Sequence, residues 1–156
     1  MVRYILVFLI VFFSVQAKSI RPYMFTLKDE NGNTVSLESL KGNVVYLIFW
    51  SKTCHTCEEE LKSINTLYHR YRDKGVIFYA VVIDEKSPEK IKEIKKKWGF
   101  DIPVLIGDLT VKSKYRIVGT PITYILRKDL TIGKIIYGAI STKKAEKYIK
   151  RLLKEN

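Results

Sequence analysis

The chain contains only two cysteines, Cys54 and Cys57, separated by His55 and Thr56 and preceded by the apolar run Val44 to Trp50. Two thiols are too few to staple a small scaffold by disulfides, and too few for a four-thiolate zinc site. Whatever they do, they do as a pair. Their setting narrows the fold as well: a run of β-branched, aromatic and leucine side chains reads as a strand buried on both faces of a parallel sheet. With 156 residues, 47% of them hydrophobic, the chain has enough apolar material for one full core and is not disordered.

The first 17 residues differ in composition from the rest. Arg3 gives a positive start, an apolar stretch from Ile5 to Val15 is interrupted only by Ser14, and Ala17 ends it with a small side chain. This pattern predicts a signal peptide, cleaved or retained as an N-terminal anchor that associates with a membrane. A dozen helical residues reach about 18 Å, well short of the roughly 30 Å hydrocarbon core. Residues 18–156 then form a single exported domain, in a bacterial periplasm or on the outer face of the cytoplasmic membrane.

The net charge is +12, from 28 basic and 16 acidic residues; the first 17 residues hold one basic and no acidic residue, which leaves +11 on the remainder. Most of it lies in Lys90, Lys92, Lys95, Lys96 and Lys97, and in Lys143, Lys144, Lys147, Lys150, Arg151 and Lys154. Both sets alternate with apolar residues at helical spacing, which predicts solvated helix faces. No recognition helix or stacking aromatics accompany them, so no nucleic-acid partner is expected.

Along the remainder, Phe25 to Leu37 alternates around Asn31-Gly32 and predicts a hairpin. A helix from Thr53 to Asp73 follows the cysteines, with Leu61, Ile64, Leu67, Tyr68 and Tyr71 on its inner face and Gly75 as its stop. Val76 to Ile83 reads as a strand. Ser87 and Pro88 open a helix that ends at Gly99. Pro103 to Ile106 is a short strand, Thr110 to Tyr115 a short helix, Ile122 to Arg127 and Lys134 to Tyr137 two strands. Ala145, Tyr148, Ile149, Leu152 and Leu153 mark a closing helix. Strands alternating with helices predict an α/β fold with a central sheet covered on both faces, mixed because it ends in a hairpin.

Cys54 at the start of a helix gains from the helix dipole, which favours its thiolate, so it is the expected nucleophile, with Cys57 resolving the mixed disulfide. A purely structural disulfide is disfavoured, because so short a loop constrains the unfolded chain little. Copper binding by Cys54, His55 and Cys57 remains a rival, and it would make the protein a copper chaperone; no resident metal or cofactor other than a Cys54–Cys57 disulfide is expected.

Phe25-Thr-Leu-Lys-Asp, Val35-Ser-Leu, Leu40-Lys-Gly-Asn-Val-Val, Phe49-Trp50, Cys-x-x-Cys and Gly119-Thr-Pro together resemble the thioredoxin superfamily, specifically its TlpA/ResA-like exported thiol-disulfide oxidoreductases. The resemblance spans residues 22 to 153 and implies a thioredoxin-like fold with an N-terminal hairpin. It also implies protein thiol or disulfide substrates, an upstream membrane thiol donor, a monomer, and a reducing role in the cell envelope that extends to cytochrome c maturation. Pro121 matches the family's cis-proline, with Thr120 and Trp50 completing the substrate surface. Glu60 matches the family's acid near the cysteines, a group that can take and return a proton; the alternative is an ordinary first-turn acid of the run Glu58-Glu59-Glu60. Ile48 occupies the position of the buried Asp of thioredoxins. Thr53 replaces the usual Trp before the first cysteine, and His55 and Thr56 replace a pair that often contains Pro, so these two residues are the expected tuners of the reduction potential. A peroxiredoxin-like peroxidase shares the hairpin, but that branch places a Pro and Thr cradle upstream of its cysteine, and no Pro lies between Pro22 and Cys54.

Overall fold

A computed structural model describes residues 19–155, so the expected signal or anchor at residues 1–17 lies outside the described residues. No helix among the described residues is long and apolar enough to cross a membrane. Two antiparallel strands, β1 (Thr26–Lys28) and β2 (Thr34–Ser36), form the expected hairpin, followed by a short 3-10 turn at Leu37–Leu40. Their connection is longer than an Asn-Gly turn. The Asp29 carboxylate accepts from the backbone N–H groups of Asn31 and Asn33, both at 2.8 Å, and Gly32 alone of this loop takes a positive φ, +83°. An Asx-type loop thus replaces the tight turn, because the Asp side chain supplies the acceptor that closes it.

The main sheet contains β3 (Val44–Trp50), β4 (Val76–Val82), β5 (Val104–Ile106), β6 (Ile122–Leu126) and β7 (Ile132–Tyr137), in the order β5-β4-β3-β6-β7. Strands β3, β4 and β5 are parallel, while β6 is antiparallel to β3 and β7 to β6. The mixed sheet is therefore the one the alternation of elements predicts. All seven residues of β3 are buried, as a central strand covered on both sides requires.

Helices α1 (His55–Tyr71), α2 (Pro88–Trp98) and α4 (Thr142–Lys154) cover one face, where they pack on Tyr46, Ile48, Trp50, Phe78 and Ala80. Helix α3 (Leu109–Lys114) and the hairpin cover the other, over Val45, Leu47 and Phe49. Local chemistry sets the helix ends. The Ser87, Asp108 and Ser141 side chains accept from backbone N–H groups of their first turns, and Gly99 closes α2 with φ +70°. The lysines of α4 are exposed as expected, whereas Lys95 of α2 bonds to the buried Glu30 at 2.6 Å.

Candidate functional site

Strand β3 ends at Trp50, and a short loop carries the chain to Cys54, the N-cap of α1. That loop is held from the neighbouring parallel strand. Ser51 Oγ donates to Asp84 Oδ2 at 2.7 Å, the Lys52 N–H donates to Asp84 Oδ1 at 3.0 Å, and Lys52 Nζ donates to Glu85 Oε2 at 2.9 Å. Glu85 is held down to a pKa of about 2 by the Ser87 N–H, then Lys52 and the Lys86 N–H, so it stays charged. Nothing in the local sequence pattern singles out Asp84 and Glu85; only the pairing of β3 with β4 brings them to the cysteine loop.

Cys54 and Cys57 are joined by a disulfide, and the two sulfurs are placed unequally. Cys57 is fully buried on the inner face of α1, whereas Cys54 is partly exposed. The Cys57 N–H donates to Cys54 Sγ at 3.1 Å, and Thr120 O lies 3.5 Å from the same sulfur, so a reduced Cys54 thiol can donate to that carbonyl. A backbone N–H and the N-terminus of a seventeen-residue helix both favour a thiolate at Cys54. Thr120 precedes Pro121, and the bond between them is cis. Pro121 O in turn accepts from the Gly138 N–H at 2.9 Å. Residues 66 positions apart are thereby brought to one sulfur.

The three consecutive acids of α1 separate by rotation about the helix. Glu58 and Glu59 reach the exposed His55 ring, at 3.8 and 3.6 Å, whereas Glu60 is 3% exposed and points inward. Glu60 Oε2 accepts from the Ile140 N–H at 3.1 Å, and Oε1 is buried without a partner. Burial raises its pKa to about 7, against the lowering effect of the Ile140 N–H. A carboxyl that titrates near neutrality, one helical turn beyond Cys57, can hold or release a proton under working conditions. Membership of the run Glu58-Glu59-Glu60 alone would have left it solvated.

Trp50 requires a correction. Expected at the substrate surface, it is instead fully buried and packs on Trp98 and Phe100, with ring centroids 5.2 and 6.0 Å away. Strand alternation places it beside Tyr46 and Ile48, on the face that α1 and α2 cover. His55 and Thr56 are exposed, and the imidazole is turned toward carboxylates. Among the described residues no group of three or more His, Cys, Asp or Glu side chains is placed to hold a metal ion.

Residues 21–135 match the AhpC/TSA family. The thiol-disulfide oxidoreductase ResA of Bacillus thuringiensis subsp. konkukian is 31% identical over 130 residues, covering 82% of this chain and 74% of that protein. ResA of Bacillus subtilis is 28% identical over 126 residues, covering 80% and 70%. Among solved structures, a thiol:disulfide interchange protein of the thioredoxin family from Chlorobium tepidum TLS superposes with a TM-score of 0.79 at 20% identity, over 88% of this chain and 98% of that one. The sequence match and the paired cysteines agree: this chain belongs to the AhpC/TSA family of the thioredoxin superfamily and is a thiol-disulfide oxidoreductase of the ResA type.

Proposed function

We propose that this protein is a reductant of protein disulfides outside the cytoplasm, delivered there by residues 1–17 and recharged by a membrane thiol donor. The observation that carries the reading is the asymmetry of the pair, with Cys54 reachable at the helix N-cap and Cys57 buried one helical turn before Glu60. The Cys54 thiolate attacks a substrate disulfide, forming a mixed disulfide and releasing one substrate thiolate. Glu60 accepts the Cys57 proton, and the Cys57 thiolate attacks Cys54 Sγ. The second substrate thiolate leaves and takes up the proton from Glu60. Two electrons have then passed from the dithiol to the substrate, and the protein is left with its Cys54–Cys57 disulfide.

Thr120 offers its carbonyl beside Cys54, where an extended substrate backbone would lie, and Pro121 shapes the same surface. His55 and Thr56, exposed and set between the two cysteines in sequence, adjust the potential. Supply of reduced thiols for cytochrome c maturation is the use that the resemblance to ResA favours. Equilibration of the protein against defined thiol buffers tests the direction: a potential near about −270 mV is expected, and one near about −120 mV would make it an oxidant and overturn the reading. A Cys57→Ser protein is expected to retain envelope proteins as mixed disulfides through Cys54, and a Cys54→Ser protein to lose exchange altogether.

A further inference from the structure

Four buried side-chain polar atoms lack a partner among the described residues: the Tyr46 hydroxyl, Trp50 Nε1, Glu60 Oε1 and the Thr123 hydroxyl. All four lie on the α1 side of the sheet. Tyr46 and Trp50 belong to that face of β3, Thr123 stands opposite Ile48 on β6, and Glu60 comes down from α1. Buried polar groups are normally satisfied, so such a concentration behind one cysteine calls for a reason.

The register supplies one. Ile48 pairs with Thr123 and Tyr46 with Ile125, so Tyr46 and Thr123 are diagonal neighbours, a separation that a tyrosine spans. The Tyr46 ring stacks on Phe78 at 5.2 Å, which fixes its plane. Its phenol is pushed upward by burial and then by the charge of Glu60, with Thr123 partly offsetting both. It therefore remains a proton donor at all working pH values and lies within the field of the Glu60 carboxylate. Three buried and unpartnered polar groups on this side of the sheet are the kind of partners that a single internal water binds.

We propose that Tyr46 is a positioning residue for thiol-disulfide exchange: its hydroxyl, backed by Thr123, donates to Glu60 Oε1 through one shared water and so governs how readily Glu60 takes the Cys57 proton. This rests on the reading of Glu60 as the proton acceptor. Few groups act on Glu60: the Ile140 N–H before α4 bonds to it, the Tyr46 phenol on β3 feels its charge, Cys57 lies one turn before it on α1, and no charged side chain of β7 or α4 acts on the carboxyl. A donor to a carboxylate favours its charged form, so loss of the hydroxyl leaves burial less opposed.

The test is the titration of Glu60, followed by carboxyl carbon NMR in the full oxidised chain, for the wild type, Tyr46→Phe and Thr123→Val. Tyr46→Phe keeps the ring and its stacking on Phe78. Its Glu60 midpoint is expected to rise by about one pH unit, a tenfold gain in proton affinity, with a smaller rise in the same direction for Thr123→Val. An unmoved midpoint in a folded Tyr46→Phe protein overturns the proposal, and if Tyr46→Phe does not fold, an unmoved midpoint in Thr123→Val overturns it instead. Rate against pH with a small disulfide, compared between wild type and Glu60→Gln, separately tests whether Glu60 handles the proton. Identical profiles there would remove the role of Glu60 in exchange while leaving the NMR result to judge the contact.

Discussion

The tyrosines around Phe49 on one face of the sheet and Tyr46 on the other are treated in opposite ways. On the α3 side, the Tyr115 hydroxyl donates to Tyr23 O at 2.9 Å and the Tyr124 hydroxyl donates to Tyr115 O at 2.8 Å. The rings of Tyr115, Tyr124 and Phe49 pack within 4.9 to 5.9 Å of each other, so this face is satisfied in both its polar and its apolar groups. On the α1 side, Tyr46 has no such partner and a carboxyl is buried beside the redox pair. The first face holds the hairpin to the sheet. The second buries unpartnered polar groups beside the redox pair, an arrangement that costs stability.

The largest test of this contrast is Glu60. Its folded pKa, about 7, lies above the ordinary 4.5, so the folded protein binds the proton more tightly than the unfolded chain does. Stability is therefore full below about pH 4.5 and falls as pH rises to about 7, by roughly 3 kcal/mol in total. Glu60→Gln should abolish that slope, as read from urea unfolding at several pH values; a wild-type protein equally stable at pH 5 and pH 8 would contradict the burial of this carboxyl.

Tyr124→Phe comes next. It removes the partner of a buried carbonyl and should cost about 1 to 3 kcal/mol while leaving the pH profile of exchange untouched. Tyr46→Phe inverts this pattern, costing about 1 kcal/mol because only a water-mediated contact is lost, yet shifting the titration of Glu60. If Tyr46→Phe proves the more destabilising of the two, the contrast between the faces fails. The smallest effect is expected at His55, whose ring is 82% exposed and faces Glu58 and Glu59. His55→Ala should move the reduction potential by no more than about 20 mV, since exposed ion pairs contribute under about 1 kcal/mol.

Much of this was legible in the chain itself. Apolar runs and helical spacing of apolar residues placed the strands and helices of the main sheet to within a few residues, because burial against covered faces imposes them locally. The cap residues Ser87 and Gly99 carry their own geometry, and the spacing of Cys54 and Cys57 at a helix start points to a redox pair. Those readings rest on interactions among neighbours in sequence. Four features required the fold: the burial of Glu60 while Glu58 and Glu59 stay wet, the seating of Thr120 against Cys54, the enclosure of Trp50 by Trp98 and Phe100, and the register that sets Thr123 diagonal to Tyr46. Each depends on which strand lies beside β3 and in what register, or on how α1 is rotated above it. A shift of one residue would turn Tyr46 to the other face, and no local pattern records that choice.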